Sequence, residues 1–204
     1  MYKIVRLIAL IFFKLFSRLH VEGHDQLPEN EAFILAPNHL SNLDVFILSA
    51  AVKNEFYTLS KKELFKNPFL RFLITRLNGI PVNRKGFCRQ SLKAALDILQ
   101  QKKAMVVFPE GYVSNNGTLG RFKQGVARLA LEAKVPIIPV AIIGSNRVLP
   151  LGKRIPRPHR VIVKFGEPIY FDSYEEGYDR KIKNEVTENV RNEILELIIS
   201  EGTS

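Results

Sequence analysis

Hydrophobic residues fall in short blocks along this chain, and their spacing changes from block to block. From Ile4 to Phe16 the residues are apolar except for Arg6 and Lys14. At roughly 100° per residue, Lys3, Arg6, Lys14 and Arg18 fall within about 120° of one another. Ile4, Val5, Ile8, Ile11, Phe12, Phe13, Leu15, Phe16 and Leu19 fill the rest of the circumference. Charge interrupts the run, and it is shorter than the about 20 apolar residues that span a bilayer. The pattern predicts an amphipathic helix over residues 1–22, lying in a membrane interface with its bases toward the headgroups. A secretory signal fits less well, because His20-Val21-Glu22-Gly23 is a poor cleavage site. A core helix of the domain is the other alternative.

Beyond a turn-rich stretch from Gly23 to Asn30, the blocks alternate in type. Ala32–Ala36 is a short apolar run stopped by Pro37, which predicts a buried strand. Residues 42–52 read as a helix, Glu55–Leu59 as a strand, and Lys61–Leu77 as helical stretches broken by Pro68. Ile80-Pro81-Val82 reads as a strand whose proline favours an edge. Gly86–Lys103 then predicts a helix, Ala104–Phe108 a buried strand, Phe122–Ala133 a helix, and Pro136–Ile143 and Val161–Phe165 strands. The closing helix, about 179–199, carries Ile182, Val186, Val190, Ile194 and Ile198 on one stripe. Strands alternating with helices predict an α/β domain, with a mostly parallel mixed sheet flanked by helices on both faces.

Composition narrows this picture. The chain has 204 residues, 46% hydrophobic and 25% charged, enough for one domain with a real core. Its single cysteine, Cys88, excludes an internal disulfide framework and fits a reducing compartment. No Cys/His spacing suggests a metal, and none is expected. The net charge of +10 is concentrated. Residues 1–20 hold four bases and no acid, and residues 145–160 hold Arg147, Lys153, Arg154, Arg157 and Arg160 with no acid. Local positive fields suit anionic lipid or a phosphorylated substrate better than a long nucleic-acid groove.

The candidate chemistry lies at two strand ends. Asn38-His39-Leu40-Ser41-Asn42-Leu43-Asp44 follows the first apolar strand. Histidine, with an ordinary pKa of about 6.5, suits removal of a hydroxyl proton at neutral pH. Asp44 can reach back to the second ring nitrogen, fixing the tautomer and stabilising the imidazolium. The same residues also spell a capping box, with Ser41 as cap and Asp44 returning to its amide. Phe108-Pro109-Glu110-Gly111 follows a later strand, where open α/β sheets place ligand-contacting groups. There Glu110 would bond an acceptor hydroxyl or order the site. Arg84, after Gly79-Ile80-Pro81-Val82-Asn83, offers a planar fork for phosphate. Arg121 and Lys123 are secondary phosphate candidates. No G-x-S-x-G elbow is present, and Cys88 reads as a packing residue.

Together these elements resemble the lysophospholipid and glycerol-phosphate acyltransferase family. His39 and Asp44 match its histidine–four residues–aspartate motif, and Gly79–Arg84 its second block. Phe108–Gly111 matches the third, and Val135-Pro136-Ile137-Ile138-Pro139-Val140 the fourth, in the family's order. The resemblance implies an acyltransferase domain over residues 23–204 and catalysis by His39 and Asp44. It implies substrate binding by Glu110, Gly111, Arg84, Arg121 and Lys123. The donor would be acyl-CoA or acyl-carrier protein, with no bound cofactor. The acceptor would be a lysophospholipid, 1-acyl-glycerol-3-phosphate first. The implied setting is the cytoplasmic face of a membrane with anionic lipids, in a peripheral or monotopic attachment. One departure stands out: Val113 replaces the arginine that the family places after Phe-Pro-Glu-Gly, which leaves open another acceptor or a non-catalytic lipid-binding role.

Overall fold

The computed structural model describes residues 1–82, 89–171 and 179–202. In chain order these form α1 (Tyr2–Phe16), β1 (His20–Glu22), β2 (Ile34–Pro37), α2 (Asp44–Ala51) and β3 (Phe56–Lys61). Then come α3 (Pro68–Arg76), β4 (Gly79–Val82), α4 (Arg89–Gln100), β5 (Ala104–Val106) and α5 (Gly125–Ala133). The chain continues through β6 (Ile137–Ile143), α6 (Ser145–Val148), β7 (Ile162–Phe165) and α7 (Arg180–Gly202).

The seven strands make one sheet in the order β1-β7-β6-β2-β5-β3-β4. Five strands run parallel, whereas β7 pairs antiparallel with β6 and carries β1 in its own direction. β4 is an edge, as Pro81 requires of a residue with no amide hydrogen to donate. β1 was not anticipated from the pattern, because three half-exposed residues give too short a signal.

Alternation along each strand separates two apolar layers. Phe33, Leu35, Ile138, Val140 and Ile142 pack with α1 and α2 on one face. Ile34, Ala36, Met105 and Ile137 pack with α4, α5 and α7 on the other. Val186, Val190 and Ile194 of the α7 stripe are buried as expected, and Ile182 and Ile198 pack beside them. Pro68 opens α3 and parts it from a short 3-10 turn at Lys62–Lys66, the break expected there. Its missing amide hydrogen costs nothing at the first helical position, and the Asn67 side chain caps Phe69 and Leu70 at 3.0 and 3.1 Å.

α1 is packed on the domain. Tyr2, Val5, Ala9 and Phe13 are buried, mainly against α2, while Ile4, Leu7, Ile8, Ile11, Phe12 and Leu15 stay exposed. The apolar circumference is thus split, and Val5 and Phe13 belong to the interior. Arg6 also departs from the headgroup-facing group expected for it: its Nε donates to the Val52 carbonyl at the end of α2, at 2.8 Å. Lys3, Lys14 and Arg18 remain exposed. No helix among the described residues is long and apolar enough to cross a membrane.

Candidate active site

β2 leads toward β3 on one side, whereas β5 leads through α5 to β6 on the other side of β2. Their carboxyl ends therefore flank the crevice where an α/β sheet reverses its winding order. His39 leaves the end of β2, and Glu110 follows β5.

Pro37 ends β2, and Asn38 then locks the departing chain. Its Nδ2 donates to the Ile142 carbonyl at 3.0 Å and its Oδ1 accepts from the Ile142 amide at 2.7 Å. The buried Asn38 amide thus mimics one more ladder pair with β6, and the next residue projects from a fixed base. The Ser41 hydroxyl donates to the Leu149 carbonyl at 2.9 Å, anchoring the other end of the turn.

Asp44 begins α2 and is fully buried. Its Oδ2 lies 2.8 Å from His39 Nδ1 and accepts from the Leu40 and Ser41 amides at 2.8 and 2.9 Å. One oxygen thus makes both the return bond of a capping box and the orienting bond of a histidine, but Ser41 is not the cap expected of it: α2 starts after Leu43, and the Ser41 hydroxyl accepts from the Leu43 amide at 3.3 Å. The amides show that Oδ2 acts as an acceptor, so Nδ1 carries hydrogen and Nε2 is the basic nitrogen. The imidazole stacks on Phe108, with centroids 3.9 Å apart and planes 25° from parallel.

Phe108-Pro109-Glu110-Gly111 is a tight turn, closed by the Gly111 amide on the Phe108 carbonyl at 3.1 Å. Gly111 has φ +72°, the left-handed region glycine enters freely, and a Cβ there would meet Lys123 Nζ at 2.8 Å. Glu110 is fully buried, and both oxygens are engaged: Oε1 accepts from the His39 amide at 3.0 Å and Oε2 from the Gly120 amide at 3.1 Å. Burial pushes its carboxyl above the usual carboxylate range, while the two amides and the His39 ring pull the other way. This geometry makes Glu110 an organiser of the site. The Ser114 amide completes the junction by donating to the His39 carbonyl at 2.7 Å.

A family model described as acyltransferase matches residues 18–143, more than half of the chain. This chain belongs to the acyltransferase family. The fold matches the crystal structure of the 1-acyl-sn-glycerophosphate (LPA) acyltransferase PlsC from Thermotoga maritima. The TM-score is 0.81 and the identity 29%, over 96% of this chain and 79% of that one. The chain is 29% identical to the chloroplastic 1-acyl-sn-glycerol-3-phosphate acyltransferase of Arabidopsis thaliana, over 73% of its own length and 42% of the relative's. It is 23% identical to the 1-acyl-sn-glycerol-3-phosphate acyltransferase of Bacillus subtilis, over 97% of its own length and 96% of the relative's. The chain spans about half the length of the plant relatives it matches.

The remaining candidates of this acyltransferase-family chain either gather beside the Glu110 turn or lie outside the described residues. Arg121 and Lys123 line a cavity beside α7, next to the Gly111 turn. Val113 is half-buried in the loop joining them to Glu110. Arg84 and Cys88 lie outside the described residues. Sequence reasoning passed over Asn38, Gly120 and Arg191, whose Nε donates to the Gly120 carbonyl at 3.2 Å. Asn38 alone left a signal, as a polar residue directly after a buried strand.

Proposed function

We propose that this chain is an O-acyltransferase moving a fatty acyl group from acyl-CoA or acyl-carrier protein to the free hydroxyl of 1-acyl-glycerol-3-phosphate, giving phosphatidic acid. The observation that carries the reading is the 2.8 Å contact between His39 Nδ1 and a buried Asp44 oxygen. His39 Nε2 takes the hydroxyl proton while the hydroxyl oxygen attacks the thioester carbonyl carbon. Asp44 stabilises the resulting imidazolium. The tetrahedral intermediate then collapses, the C–S bond breaks, and the departing thiolate receives the proton from His39. No acyl-enzyme is required. The names of the relatives support the acceptor.

The outer face of α1, with Ile4, Ile8, Ile11 and Leu15 exposed beside Lys3 and Lys14, supports docking on the anionic cytoplasmic face of a membrane. A lipid acceptor would then reach the crevice without leaving the bilayer surface. The test is transfer by detergent-solubilised protein from a labelled thioester to a panel of lyso-lipids. Phosphatidic acid as the preferred product supports the assignment. Preference for another lyso-lipid would tie Val113 to a different acceptor, and failure of every acceptor would reject the enzyme reading.

A further inference from the structure

A side chain of the closing helix is wired to the backbone that carries the imidazole. Arg191 Nε donates to the Gly120 carbonyl at 3.2 Å, the Gly120 amide donates to Glu110 Oε2 at 3.1 Å, and Glu110 Oε1 accepts from the His39 amide at 3.0 Å. Three successive hydrogen bonds thus run from α7 to His39. Arg191 takes no part in the proton transfer described above, and it lies beyond all four sequence blocks that carry the family resemblance.

Gly120 depends on such a tie because nothing but backbone can stand at its position. A Cβ there would meet Tyr112 Oη at 2.6 Å and Glu110 Oε2 at 2.7 Å, so the buried carboxylate is seated against a residue with no side chain to anchor it. Downstream the loop is pinned, with Phe122 buried and the Lys123 amide on the Pro109 carbonyl at 2.9 Å. Upstream, the Ser114 hydroxyl holds the Thr118 carbonyl at 2.9 Å. Between these pins Arg191 holds the Gly120 carbonyl. Its own base is firm, because Val190 and Ile194 of α7 are fully buried. A guanidinium stays charged at any working pH, and a charged donor makes the stronger kind of hydrogen bond.

On the acyltransferase reading above, we propose that Arg191 is a positioning residue: by holding Gly120 it holds Glu110, and through Glu110 it sets the aim of His39 Nε2. Arg191→Met keeps an apolar stem and removes every donor, so the melting temperature should stay within a few degrees. In turnover kcat should fall about three- to tenfold, while KM for donor and for acceptor each move less than twofold. Arg191→Lys, which retains a donor, should recover most of that loss. In a Glu110→Gln background, Arg191→Met should cost less than a further twofold, because the link it serves is already weakened. Amide hydrogen exchange followed by NMR reads the link without turnover. The Gly120 and His39 amides should exchange at least about threefold faster in Arg191→Met, with the Ile142 amide, held by Asn38, unchanged. Losses that multiply across the two variants overturn the proposal, as does faster exchange spread equally to Ile142. A raised KM at unchanged kcat also overturns it and makes Arg191 a substrate ligand. Faster exchange at Gly120 and His39 in a chain that transfers no acyl group would leave the tether standing and reject the enzyme reading. Acyl transfer left whole by Arg191→Met would do the reverse.

Discussion

The backbone amide of His39 donates to Glu110 Oε1 at 3.0 Å, so a carboxylate 71 residues away fixes the backbone from which the imidazole projects. Glu110→Gln keeps the shape but turns one amide hydrogen toward another. It should lower kcat about ten- to a hundredfold by loosening His39, with little change in KM, read from initial rates at saturating substrate. The same carboxyl carries a pH signature. Burial raises its pKa above the unfolded value, so the folded chain binds this proton more tightly. Its contribution to stability therefore falls as pH rises from the ordinary carboxylate range through the raised value. Urea titrations across that interval should show the slope flattened in Glu110→Gln.

His39→Ala should cost on the order of a hundredfold or more in kcat, and it should lower the melting temperature as well, because the ring is only 17% exposed, bonded to Asp44 and stacked on Phe108. Asp44→Asn should cost a comparable factor and also destabilise, since three donors converge on Oδ2. A loss of about 2–4 kcal/mol is expected from thermal or urea unfolding. Full activity in both variants would sink the general-base mechanism.

Asn38→Ala should be as harmful as a change to the apparent catalytic pair. It leaves both polar groups of Ile142 without their partner in a buried position, at about 2–4 kcal/mol. The expected signature is a lowered melting temperature together with a lowered kcat, because β2 and His39 lose the same support.

Ile8→Glu and Ile11→Glu test the outer face of α1. Both residues are exposed, so folding should be unaffected, while sedimentation with anionic vesicles should fall at least about tenfold. Arg6→Gln is the internal comparison: it removes the bond to Val52 and should lower stability by about 1 kcal/mol without a matching loss of vesicle binding.

Tyr2 reports on the inner face. Burial pushes its phenol up to about 12, from an ordinary value of 10.0. The unfolded chain loses this proton first, so stability should fall between about pH 10 and 12, by up to about 2–3 kcal/mol. Tyr2→Phe should abolish that decline in alkaline unfolding curves.

Much of this architecture was legible from spacing alone. The runs at Ile34, Met105 and Ile137 declared buried strands because both sheet faces are covered, and the α7 stripe declared its own layer. The pairing of His39 with Asp44 was legible because five residues across a strand-to-helix turn are local. Glu110 was legible as a position and not as a role, since its partners, the His39 and Gly120 amides, are brought together only by sheet order. Asn38 was hidden for the same reason: its partner lies 104 residues onward in β6. For α1, periodicity could not say which apolar residues would be claimed by α2, because lipid and protein interior ask for the same side chains.

The stacking of His39 on Phe108 limits how the imidazole can be approached. With one flat side roofed by a phenyl ring and one edge bound to Asp44, a single outward edge is left for visitors. On the proposed mechanism, alcohol and sulfur would call there in turn, the first depositing what the second collects. The walls around one ring would then set the order of the two half-steps.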